Sequence, residues 1–172
     1  MKIIFVRHGH HKNNHLTRLG KKQAKLSYYD LYYEDIKKIY CSPLGRAVET
    51  ANIISKKLGI KEITLDDRLK ERQRLRGEAQ TEKEKLYNDN YLTADFSMSD
   101  PEGCKEFIDR IFSFLNDAIK DNLEEDKNIL IVGHSSILYV LNTYFTGIPK
   151  NRQLIWMRLG NCNKIVYEKL KK

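Results

Sequence analysis

The sequence predicts an α/β three-layer sandwich: a mostly parallel central sheet, helices on both faces, and the last strands near the C-terminus. Three observations predict it. Apolar runs at residues 3–6 and 129–132 are continuous rather than alternating, as in strands covered on both faces. Other segments carry apolar residues at helical spacing. The two patterns alternate along most of the chain, as in a parallel sheet wrapped by helices.

Lys2–Arg7 is expected to be the first buried strand, through Ile3, Ile4, Phe5 and Val6. Residues 8–15 are polar and irregular. Thr17 can cap a helix over 18–28 that turns Leu19, Ala24 and Leu26 to the core. A second strand spans 35–41. Ser42 is expected to cap the next helix, with Pro43 at its first position. Leu44, Ala47, Val48, Ala51, Ile54 and Leu58 form its apolar face, and Gly59 ends it. Residues 60–65 read as a short strand and 66–80 as a charged loop. A short helix over 81–87 and a loop over 88–100 follow.

Asp100-Pro101 opens a long helix reaching about residue 122, with Phe107, Ile108, Ile111, Leu115, Ala118 and Ile119 on one face. A buried strand is expected at 128–132. Gly133-His134-Ser135 then turns into a helix over 137–145, ended by Gly147 and Pro149. Two final strands, 154–159 and 164–170, join near Gly160-Asn161. No repeat, linker or low-complexity segment divides the 172 residues, so one domain over 1–172 is expected.

The totals narrow the function classes. Hydrophobic residues make up 41% and charged residues 31%, as in ordinary folded domains. No apolar run has the length of a membrane span, and the apolar stretch before Arg7 is too short for a secretory leader. The three cysteines form no CxxC pair, which disfavours a disulfide framework or a structural zinc site and fits a reducing cytoplasm. Cys41 reads as a small buried hydrophobe. The net charge of +8 admits nucleic acid, membrane surface or small anions as partners. Much of it comes from scattered lysines. No RRM, KH or zinc-finger motif appears, and Tyr28-Tyr29 and Tyr32-Tyr33 read as packing, so nucleic acid is disfavoured.

Three strand exits carry groups capable of chemistry, where α/β sheets place their sites. At Arg7-His8-Gly9, a neutral imidazole can attack phosphorus, a guanidinium can hold phosphate oxygens, and glycine admits a ligand close to the chain. At Ser42–Arg46, a helix start offers unpaired amides. Arg46 is misplaced there for helix stability but well placed for an anion. At Gly133-His134-Ser135-Ser136, a second imidazole follows a buried strand and could stabilise transition-state charge.

The ordered set resembles the histidine phosphatase superfamily, also called phosphoglycerate mutase-like. It comprises Arg7-His8-Gly9, Asn14, Leu16-Thr17 with Gly20 and Gln23-Ala24, Ser42-Pro43-Leu44 with Arg46-Ala47 and Thr50-Ala51, Arg68-Leu69 with Glu71, and Gly133-His134. The resemblance implies a phosphatase that hydrolyses a small phosphomonoester through a phosphohistidine on His8. Arg7, Arg46, His134 and Asn14 would hold the phosphoryl group, and Glu71 would protonate the leaving oxygen and then activate water. It implies no cofactor and no metal, a small phosphorylated substrate, and no membrane partner. A phosphoglycerate-type mutase, or a non-catalytic binder of phosphorylated or polyanionic ligands, is the alternative. Hydrolysis is favoured because residues 72–100 leave room for only a short cover over the site.

The chain departs from the family where substrates are read. His10 and His11 replace the usual acidic or amide residue and hydroxyl. Arg72, Arg74 and Arg76 stand where a tryptophan-containing run is common; they could meet a second anionic group or be solvated surface. A rival of another class is a metallohydrolase built on a His8/His10 pair. Its further ligands are scant, and the barrel that commonly uses such a pair takes roughly 250 residues.

Overall fold

A computed structural model of the chain describes residues 1–72, 104–147 and 159–168. Its elements are β1 (Lys2–Arg7), β2 (His11–Lys12), β3 (His15–Leu16), α1 (Arg18–Leu31), β4 (Ile36–Cys41), α2 (Gly45–Leu58) and β5 (Ile63–Leu65). They continue with α3 (Cys104–Leu123), β6 (Asn128–Gly133), α4 (Ser135–Thr146) and β7 (Lys164–Glu168). Single 3-10 turns, Tyr32–Glu34 and Asp67–Leu69, precede β4 and follow β5.

The main sheet has the order β5-β4-β6-β1-β7. All neighbours are parallel except β7, which runs antiparallel along the edge of β1. Strand side chains alternate between two cores. Ile3, Phe5, Tyr40, Ile129 and Ile131 face α3 and α4, burying Phe107, Phe114, Leu115 and Leu141. Ile4, Val6, Ile39, Cys41, Leu130 and Val132 face the other way, onto Leu31 of α1 and Ala47, Ala51 and Ile54 of α2. The continuous apolar runs are therefore strands covered on both faces, and the three-layer sandwich is the observed architecture. Among the described residues no helix is long and apolar enough to cross a membrane.

Several boundaries and faces differ from expectation. Leu19 and Leu26 are each 53% exposed; the buried side of α1 is Gly20, Ala24, Ser27 and Leu31. Close approach decides this. A Cβ on Gly20 would lie 2.0 Å from the His10 carbonyl oxygen, so α1 rests its small residues on the chain leaving β1. Thr17 caps α1 as expected, accepting from the Gly20 amide at 3.2 Å. Tyr29, Tyr32 and Tyr33 are exposed rather than packed into a core: Tyr29 meets Tyr28 edge-on, and Tyr32 meets Tyr33 edge-on and Tyr28 at a tilt.

Ser42 does not cap α2. The helix starts at Gly45 with Leu44 as its cap, so Pro43 lies outside it. Gly59 closes it with φ +73°, as glycine allows. The segment 8–15, expected to be irregular, contains the β2–β3 hairpin. Strand β5 begins at Ile63, because the Ile60 amide instead closes the end of α2 on the Ser55 carbonyl. Helix α4 starts at Ser135, directly after His134. The expected helix over 81–87, the loop over 88–100, the Asp100-Pro101 helix start, Arg74, Arg76 and Pro149 lie outside the described residues. So does the strand over 154–159 except for Leu159, which is in no strand.

Candidate active site

Parallel register brings the three strand exits together. Arg7 of β1 pairs with Gly133 of β6, and Cys41 of β4 pairs with Val132. The His8 and Ser42 amides continue the ladder onto the Gly133 and Val132 carbonyls, each at 3.0 Å. His8, Ser42 and His134 thus leave the sheet side by side at its carboxyl edge.

His8 is 2% exposed. Its Nδ1 lies 2.9 Å from the Gly9 carbonyl oxygen, which can only accept, so Nδ1 carries the proton and Nε2 holds the lone pair. Burial pulls this imidazole from its ordinary 6.5 to about 4, with Arg46, His11 and Arg7 pushing the same way against the Gly9 carbonyl. His134 is fully buried and donates from Nε2 to Ser42 Oγ at 2.8 Å. Burial, then the charge of Arg46, lowers it from 6.5 to about 2. Both rings are neutral at pH 7.

Arg46, on the first turn of α2, joins the parts. Its Nε donates to His8 Nε2 at 3.2 Å, its Nη2 to His134 Nδ1 at 3.2 Å, and its Nη1 to Asn14 Oδ1 at 3.1 Å. Asn14 sits in the β2–β3 turn, held against α2; a Cβ on Gly45 would lie 2.8 Å from its carbonyl oxygen. Burial lowers the Arg46 pKa, partly offset by Glu71. Arg7 donates from Nη1 to the Leu159 carbonyl at 2.9 Å, and its buried Nε has no hydrogen-bond partner among the described residues. Glu71 points in from the segment after β5. Its Oε2 lies 3.5 Å from His134 Nδ1 and 4.0 Å from Arg46 Nη2, and its Oε1 accepts from Ser136.

The site residues read from the sequence therefore cluster: His8, Arg46, His134, Asn14 and Glu71 are linked by direct contacts, and Arg7 adds its charge beside His8. Other contributors had no legible role. Ser42 orients His134. Thr50 accepts from the Gly9 amide at 3.1 Å and donates to the Arg46 carbonyl at 2.7 Å, tying the loop after His8 to α2. The turn at 159–162 caps the exit of β1: Asn161 donates to the His8 carbonyl and the Cys162 amide to that of Arg7, both at 2.8 Å. Thr50 belongs to the Arg46-Ala47/Thr50-Ala51 motif, whereas the 159–162 turn is far from His8 along the chain and carries no local signal.

Of the unusual histidines, His11 stands edge-on to His8, ring centroids 4.8 Å apart. His10 turns away, its Nδ1 2.9 Å from Thr17 Oγ1, so the His8/His10 metal pair is not formed. The metal-capable cluster among the described residues is instead His8, Glu71 and His134, with ligand atoms within 4.8 Å of one another. Arg46 donates to both imidazole acceptors and lies against the carboxylate. A guanidinium seated among those atoms repels a cation and suits an anion.

Comparison with known proteins bears on the family and the fold. A protein of Hydrogenobacter thermophilus named "Putative phosphoserine phosphatase 2" is 31% identical over 140 residues, covering 77% of this chain and 67% of its own. "Probable phosphoglycerate mutase GpmB" of Photorhabdus laumondii is 29% identical over 181 residues, covering 95% and 82%. In fold, the chain matches Bacillus stearothermophilus YhfR with a TM-score of 0.78 at 21% identity, covering 97% of this chain and 90% of that one. It matches phosphoserine phosphatase from Entamoeba histolytica, solved with 3-phosphoglyceric acid, with a TM-score of 0.72 at 24% identity, covering 96% and 89%. The family model of the histidine phosphatase superfamily (branch 1) matches residues 3–170, and the chain belongs to that family.

Proposed function

We propose that this chain is a phosphatase that hydrolyses a small phosphomonoester through a phosphohistidine on His8. One observation carries the reading: a single part-buried guanidinium, Arg46, donates to His8 Nε2, His134 Nδ1 and Asn14 Oδ1. A phosphoryl dianion entering there offers better acceptors than neutral imidazole nitrogens. Arg46 then turns its donors to phosphoryl oxygens, together with Arg7 and the Asn14 amide, and the His8 lone pair is released for attack.

In the first step His8 Nε2 bonds to phosphorus, the bond from phosphorus to the leaving oxygen breaks, and that oxygen takes the proton of the Glu71 carboxyl. The Gly9 carbonyl stabilises the positive ring through Nδ1–H. In the second step Glu71, now a carboxylate, takes a proton from water. The water oxygen bonds to phosphorus, the P–N bond breaks, and phosphate leaves a neutral His8 and a protonated Glu71. Water is the only co-reactant. His134 supplies a neutral, fixed wall: in the free site the Arg46 donor on Nδ1 sets its tautomer, and the Nε2 contact with Ser42 fixes its orientation.

The relative named as a phosphoglycerate mutase supports the second reading, in which a bound substrate hydroxyl replaces water as acceptor. The buried free thiols of Cys41 and Cys162 support a reducing compartment such as the cytoplasm. The test is phosphate release from phosphoserine, 3-phosphoglycerate, sugar phosphates and nucleotides, with alkaline rapid-quench trapping of phosphohistidine. His8→Ala should lose at least about 10³-fold in rate and all trapped phosphate. Activity persisting in His8→Ala refutes the nucleophile. Interconversion of phosphoglycerates outpacing phosphate release replaces hydrolysis by the mutase reading.

A further inference from the structure

A glutamate on a segment without regular structure has three side-chain torsions to settle before it can deliver a proton. Glu71 is such a residue, its side chain 31% exposed. Two grips fix it. From α4, the 2%-exposed Ser136 donates its hydroxyl to Glu71 Oε1, which aims Oε2 at His134 and Arg46. From α3, Arg110 donates to the carbonyls of Arg68 and of Lys70, the latter at 2.9 Å, gripping the backbone just before Glu71. The Arg110 guanidinium itself lies over the fully buried Phe107 ring, 4.6 Å from its centroid. Arg68 returns the grip by pairing with Asp117 and Ser113 of α3.

We propose that Ser136 and Arg110 are positioning residues that hold the Glu71 carboxyl at the place where the leaving oxygen arrives. The inference rests on Glu71 being the proton donor. Its chemical consequence is a dependence on the leaving group. An alkyl phosphate departs as a strongly basic alkoxide and needs the proton; p-nitrophenyl phosphate departs as a stabilised phenolate and hardly needs it. The constant kcat/KM reports the step up to phosphoryl transfer, so regeneration of His8 does not blur it.

The experiment compares kcat/KM on an alkyl phosphate and on p-nitrophenyl phosphate for the parent, Glu71→Gln, Ser136→Ala, Ser136→Thr and Arg110→Gln. Glu71→Gln should lose the alkyl ester selectively. Ser136→Ala and Arg110→Gln should lose about ten-fold or more on the alkyl ester and about two-fold or less on the aryl ester, as for one orienting hydrogen bond. Activity kept on the aryl ester shows that each variant is folded. Ser136→Thr, which keeps the hydroxyl, should restore the parent ratio. If Glu71→Gln is selective and Ser136→Ala is not, this inference alone falls. If Glu71→Gln loses both substrates alike, the proton-donor reading falls and takes the inference with it.

Discussion

Replacing Arg46 by methionine keeps the volume of the side chain and removes its charge and all its donors. In the free protein three acceptors lose a partner: His8 Nε2 at 3.2 Å, His134 Nδ1 at 3.2 Å and Asn14 Oδ1 at 3.1 Å. In the proposed reaction two of those donors turn to phosphoryl oxygens. Hydrogen bonds to a charged group contribute about 1.5–3 kcal/mol each, and holding a desolvated guanidinium offsets part of that sum. A net loss of about 3–4 kcal/mol in transition-state stabilisation follows, or roughly 10²–10³ in kcat/KM. The same variant moves the histidines. Arg46 lowers both imidazole pKa values, so both should rise in Arg46→Met, while burial, the larger cause, keeps them below 6.5. Steady-state phosphate release and NMR titration of the ring protons read the two effects. A variant within about ten-fold of the parent, with histidine titrations unmoved, would refute the account of Arg46 as the bridge between phosphate and imidazoles.

Two further outcomes follow from the same contacts. His8 and His134 titrate far below 6.5 in the fold but at that ordinary value in the unfolded chain, which therefore binds more protons below it. Stability is greatest above about pH 6.5 and falls as the pH drops towards 4, by at most about 2–3 kcal/mol per pH unit for the two groups. Urea midpoints that stay level between pH 7 and pH 5 would contradict this. Gly20→Ala should be destabilised by about 1–2 kcal/mol, because overpacking against the His10 carbonyl outweighs alanine's gain in helix propensity. Chemical denaturation measures it, and a stabilised variant would mean that α1 does not press on the chain leaving β1.

Much of the site was legible because its groups sit at strand exits and helix starts, which local patterns mark. Ile3–Val6 and Ile129–Val132 announce buried strands, so the Arg7-His8 and Gly133-His134 exits are legible in the sequence. Arg46 stood out as a cation at the positive end of a helix. Hydrophobicity alone points to the wrong face of α1. Leu19 and Leu26 have the right character for a core, but Gly20 and Ala24 have the right size for close backbone contact, and size decided the packing. Composition makes Ser42 a helix cap, whereas its hydroxyl accepts from the Leu44 amide ahead of the helix and meets His134, an interaction across 92 residues.

The sequence by itself determined the alternation of strand and helix, the order of the candidate site groups and the family, because these depend on residue type and local spacing. Only the tertiary structure decided which atoms meet. The parallel register of β1, β4 and β6 sets His8, Ser42 and His134 side by side, and burial there makes both imidazoles neutral. The grips of α3 and α4 on Glu71, and of the 159–162 turn on the exit of β1, join residues distant along the chain. Local spacing carries no record of such contacts; they exist only once the sheet has closed and water has been excluded.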